Sequence, residues 1–171
     1  AVTELLGTDG QFCGSPQALP GQMQGATIQA EFQAQVGAFV RVFGRLPRHL
    51  DTHHHVHQHP VVLEVLLDLA ASLHLPVRSI DAPMRATVMA RGLGSPADFL
   101  GDAGDEPYWT LTRLRETIPT LLPGVTELMC HPGICDDALR NAPTRLREER
   151  QRELEALTSP GLRELLRAQG V

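Results

Sequence analysis

The chain has 171 residues, 42% of them apolar, enough for one domain with a sizeable core. Its net charge is −5 and all fifteen cations are arginines scattered along the chain, which argues against a nucleic-acid or anionic-membrane surface. No stretch approaches the ~20 apolar residues of a membrane helix, and three cysteines (Cys13, Cys130, Cys135) without a CxxC pair indicate no disulfide framework and favour a reducing cytoplasm.

The first two dozen residues are rich in Gly, Pro and Gln, and Thr8-Asp9-Gly10-Gln11-Phe12 has the turn chemistry of a tight hairpin within a loop. From Thr27 to Phe43, Ile28, Phe32, Val36, Phe39, Val40 and Phe43 recur at three- and four-residue spacings. This predicts an amphipathic helix with a phenylalanine-rich core face, capped by Thr27 and stopped by Gly44. Arg48 to His57 is a strand candidate after Pro47, although propensity leaves a helix open. Pro60 suits the first turn of a largely apolar helix running to Leu73, and Pro76 to Ile80 is a short strand after it, giving a β–α–β unit and an α/β class.

Residues 85–105 read as a loop-rich excursion with a short helix near Ala97 to Leu100. Tyr108 to Leu122 reads as a helix interrupted or ended by Pro119, and Val125 to Cys130 as a strand ending in His131-Pro132-Gly133. Arg145 to Leu157 is a charged helix, with a second starting at Ser159-Pro160. Its Arg/Glu run is read as a solvated face without function, and Cys130 as a small core residue.

The segment His49-Leu50-Asp51-Thr52-His53-His54-His55-Val56-His57-Gln58-His59 carries the chemistry. As a strand it would put His49, Asp51, His53, His55 and His57 on one face, where imidazoles and a carboxylate two residues apart can share one ion. Packing alone is a poor reason for four imidazoles and a carboxylate on one face, since each leaves polar atoms to satisfy. His131 ends a strand, where α/β folds place reactive groups, or else caps a Pro-Gly bend. Arg78 either holds a substrate oxygen or makes a surface ion pair.

With this segment and Glu127-Leu128-Met129-Cys130-His131-Pro132-Gly133 together, the chain resembles the YdjC-like carbohydrate deacetylases. These include chitooligosaccharide deacetylases and enzymes associated with hopanoid biosynthesis. The resemblance implies a single domain over 1–171, an incomplete TIM-barrel-like (β/α) barrel. It implies a divalent metal, magnesium or zinc, and hydrolysis of an N-acetyl group from an amino sugar. Carried over residue by residue, His53 matches the family's metal-binding histidine and His131 the histidine of the later Cys-His-Pro motif, with general acid or substrate-binding duty, while Asp51, His55 and His57 match positions near the site. With Arg78 from its place near a strand end, the candidates are His53 and His57 for metal, Asp51 and His131 for catalysis, and His55 and Arg78 for substrate.

Family members open with an Asn-Ala-Asp-Asp-Phe-Gly-type motif and later carry a Gly-x-His-Leu-type motif, and neither occurs here. The alternative expectation is therefore a non-catalytic fragment or sugar-binding remnant lacking the N-terminal aspartates. A truncated barrel is also expected to self-associate. A histidine-triad nucleotide hydrolase is disfavoured because Gln58 and Pro60 break that pattern. A metallophosphoesterase or amidohydrolase places its His-x-His near the chain start and wants ligands not evident here.

Overall fold

The structure is a computed structural model and describes residues 5–7, 10–12, 23–101 and 108–171. Cys13, Thr8, Asp9 and residues 102–105 of the expected loop lie outside the described residues. The chain divides into two compact units, Ala1–Pro96 and Ala97–Val171.

The first unit begins with a Leu6–Phe12 antiparallel bridge, whose Gly7 N–H donates to the Gln11 carbonyl at 2.7 Å, in keeping with the expected hairpin. Helix α1 (Gly25–Phe43) starts two residues before Thr27, with Gln24 at the cap. Gly44 ends it at φ 65°, a left-handed conformation natural to glycine, and its N–H donates to Val40 O at 2.8 Å. Not all of its phenylalanines are core: Phe32 packs on the buried clusters, whereas Phe43 is 59% exposed.

Helix α2 (Pro60–Leu73) has the expected proline in its first turn and buries Val62, Leu66, Leu67 and Ala70. Leu66, Leu67 and Ala70 form one core cluster with Val77, Met84 and Val88, and Val62 joins Leu5, Met23 and Ile28 in another. The two expected strands flanking α2 shrink to one parallel bridge between Leu50 and Val77, with Leu50 N donating to Pro76 O at 2.9 Å and Arg78 N to Leu50 O at 3.1 Å. Helix α3 (Ala82–Ala90) replaces part of the expected loop. Asp81 caps it by accepting from Met84 N at 2.7 Å, and Pro83 sits in its first turn.

In the second unit the short helix expected near Ala97 to Leu100 is instead strand β1 (Asp98–Leu100). It lies parallel to β2 (Thr126–Leu128), with Asp98 opposite Thr126 and Leu100 opposite Leu128. Four residues are too few to nucleate a helix, and pairing with β2 satisfies the same backbone groups. A side chain at Gly101 would place a Cβ 2.2 Å from Met129 O, so only glycine permits this approach.

Helix α4 (Leu111–Thr117) joins the two strands, with a 3₁₀ turn at Ile118–Thr120 containing Pro119. Thus each unit holds one parallel β–α–β connection, and the chain is α/β. Helices α5 (Asp137–Asn141), α6 (Glu148–Thr158) and α7 (Pro160–Ala168) follow, the last two close to expectation. The second core gathers Trp109, Leu114, Ile118, Ala156 and Leu162, with Cys130 packed against it. Among the described residues no helix is long and apolar enough to cross a membrane.

Candidate functional site

The strand expected from Arg48 to His57 survives only around Leu50. There His49 and Asp51 flank the bridge residue, and a ring nitrogen of the one lies within 4.8 Å of a carboxylate oxygen of the other. After Thr52 the chain curls into a 3₁₀ turn, His53–Gln58, with His54 at φ 51° and His55 at φ 52°. Two consecutive left-handed residues other than glycine are costly, roughly 1 kcal/mol each. The turn is held by Thr52, whose carbonyl accepts from His55 N at 3.1 Å and whose hydroxyl accepts from His57 N at 3.1 Å.

The curl overturns the single-face reading and sorts the imidazoles by depth. His53 and His54 are exposed, their rings 4.1 Å apart in an edge-to-face pair. His55 and His57 are buried, His57 completely, with ring centroids 6.0 Å apart. Thr52 Oγ1 lies 2.5 Å from His57 Nδ1, which fixes the orientation of that ring. His59 caps α2, and its buried Nδ1 has no hydrogen-bond partner among the described residues.

A cavity of about 440 Å³ opens beside this turn. Asp51, Thr52, His53 and His54 supply polar wall, Glu31 and Gln35 add to it from α1, and the remainder is apolar, including Phe32, Val36 and Leu66. Asp51 and His53 are therefore brought to one cavity, whereas His55, His57 and Arg78 do not line it. Arg78 instead makes an ion pair with Asp51, Nη1 to Oδ2 at 2.8 Å, its own side chain only 12% exposed. Two residues singled out separately in the sequence are thus one charged pair.

His131 stands three residues beyond β2, half-buried. Its N–H donates to Glu153 Oε2 and its carbonyl accepts from Arg150 Nη1 at 3.3 Å. Glu153 is 1% exposed, and its other carboxylate oxygen accepts from Trp109 N at 3.0 Å. Burial first, and then the Glu153 charge, push the neighbouring Cys130 thiol above its usual range. The sequence reading missed Glu153 by treating the α6 charges as solvated. The available signal was its spacing from Ala156 and Leu157, which places it on the apolar stripe of an otherwise polar helix.

No curated protein matches the chain in sequence. A solved structure from Enterococcus faecalis V583, described as a candidate cellobiose-phosphate cleavage protein, superposes with a TM-score of 0.83 at 26% identity. The match covers 99% of this chain and 66% of that one, so the chain spans just under two thirds of its solved relative. Residues 1–168 match the model of the YdjC-like protein family, and the chain belongs to that family.

Proposed function

We propose that the full-length protein is a metal-dependent hydrolase that removes the N-acetyl group from an amino sugar or a short chitooligosaccharide. The observation that carries the reading is the convergence of Asp51 and His53 on one cavity in a chain of this family. The solved relative, described in terms of a sugar phosphate, supports a carbohydrate substrate. We read the fold as part of a single TIM-barrel-like (β/α) domain, supported by the parallel β–α–β connection in each unit. Cysteine usage supports a cytoplasmic protein.

The donor chemistry fits a magnesium or zinc ion: imidazole and carboxylate line the same cavity, with a second imidazole, His49, beside Asp51. When bound, such an ion polarises the amide carbonyl and lowers the pKa of the attacking water. His53 is the stronger of the two ligand candidates because it stands on the cavity wall, whereas His57 is enclosed and oriented by Thr52. Asp51 accepts the water's proton, and Arg78 holds that carboxylate in place. His131 gives a proton to the leaving amine as the C–N bond breaks, so that acetate and a free amino sugar result. His55 and Arg78, which do not line the cavity, are given no substrate contact in this reading, and Arg78 acts through Asp51.

His53→Ala in the full-length protein is expected to abolish metal-dependent release of acetate from N-acetylated chitooligosaccharides, with the exposed His74→Asn as the unaffected control. Release by the His53 variant at the wild-type rate would sink the reading.

A further inference from the structure

Helix α6 holds the turn that carries His131 through a row of polar contacts. Glu153 accepts from His131 N, Arg150 Nη1 donates to His131 O at 3.3 Å, Arg150 O accepts from Gly133 N at 3.1 Å, and Gln151 Oε1 accepts from Cys135 N at 3.1 Å. Behind the turn, Trp109 Nε1 donates to Met129 O at 2.9 Å, and Trp109 N donates to the same Glu153 carboxylate.

Two features separate this from ordinary helix docking. A carboxylate that is 1% exposed costs several kcal/mol of desolvation unless donors replace its water, and here both donors are backbone N–H groups from segments 22 residues apart in sequence. His131 also has both of its backbone polar groups held, N–H by Glu153 and C=O by Arg150, residues one turn apart on one helix. Fixing both peptide planes around one Cα fixes the direction in which its side chain leaves the backbone. No such clamp is needed merely to end a strand.

We propose that Glu153, with Arg150 beside it, is the positioning residue that aims His131 at its substrate. The inference rests on the hydrolase reading above. Glutamine at 153 keeps the shape but can accept from only one of the two N–H groups, turning its own amide donor toward the other. The His131 turn must then shift, and displacement of a reacting group by an ångström costs on the order of 100-fold in rate.

The test uses the full-length protein with an N-acetylated chitooligosaccharide, comparing wild type, Glu153→Gln, Arg150→Met and the exposed-site control Glu164→Gln. Glu153→Gln is expected to lower kcat by about tenfold or more, with KM within a factor of about two. Hydrogen exchange of the 129–135 peptide is expected to quicken about tenfold or more. A folded Glu153→Gln enzyme with unchanged kcat overturns the proposal. If that variant does not fold, Arg150→Met carries the test, with a several-fold loss of kcat at constant KM expected and an unchanged kcat overturning it. If wild type releases no acetate, the hydrolase reading fails on its own and exchange decides: acceleration confined to 129–135 supports positioning by Glu153, and unchanged exchange overturns it.

Discussion

Thr52 serves His57 twice, accepting its backbone N–H at 3.1 Å and meeting its Nδ1 at 2.5 Å, while His57 has no exposed surface. Ring and backbone of one histidine are therefore set by one hydroxyl, the arrangement by which a ligand's neighbour fixes its tautomer and orientation. Valine at 52 has nearly the same shape and neither function. Thr52→Val is expected to destabilise the protein by about 1–3 kcal/mol, the cost of withdrawing partners from a buried polar group, and Thr52→Ser to recover most of it. Urea unfolding measures both, and a valine variant within ~0.5 kcal/mol of wild type, inside the range of an ordinary surface change, would show that Thr52 does not hold this ring. The Asp51–Arg78 pair has a different character. Asp51 is 41% exposed, so the bond contributes little stability and matters for where it holds the carboxylate.

At the scale of elements, the N-terminus of α6 shows how charge sets a helix end. The Glu149 carboxylate reaches back to accept from Arg147 N at 3.0 Å. That bond, and after it the residue's own N–H, hold its pKa below the ordinary carboxylate value, with partial desolvation opposing. A carboxyl whose folded pKa lies below its unfolded one stabilises fully above the unfolded value, about 4.3 for glutamate, and less as pH falls through the folded one. Wild type is therefore expected to be more stable than Glu149→Gln at pH 7, with the difference closing below about pH 4. Parallel chemical-denaturation series at the two pH values check this, and a gap that persists in acid would assign the effect to something other than the ionised carboxylate.

The same helix marks where sequence reading stops. Periodicity and a proline revealed α2, and periodicity with a terminal glycine revealed α1, because those signals are local. Strand β1 was not legible, since three residues become a strand only by pairing with β2, 28 positions later. The curl at His54 and His55 was hidden for another reason. Histidine and aspartate have weak preferences, and the acceptors that stabilise the curl belong to Thr52, which alternation had assigned to the opposite face. Glu153 shares its chemistry with Glu148, Glu149 and Glu155; its spacing from Ala156 and Leu157 signals burial, but the groups it serves, on Trp109 and His131, are distant in sequence and set only by the fold.

For the whole molecule, the candidate residues fall in different units: Asp51, His53 and His57 in Ala1–Pro96, His131 and Glu153 in Ala97–Val171. Metal binding and positioning of His131 are thus separable by experiment. A ligand that binds only the folded state stabilises by about 2.7 kcal/mol at 100 times its dissociation constant. For a protein of this size each kcal/mol raises Tm by roughly 2–4 °C. Saturating zinc or magnesium is therefore expected to raise Tm of the full-length protein by about 5–10 °C, by the same arithmetic. His53→Ala should remove most of that shift, because it deletes a cavity-lining imidazole. Glu153→Gln should keep all of it while losing turnover. Calorimetry of the three proteins with and without metal gives both answers at once. A full shift in the His53 variant would place the ion elsewhere, and a shift lost in the Glu153 variant would mean that its carboxylate acts on the metal site rather than on His131.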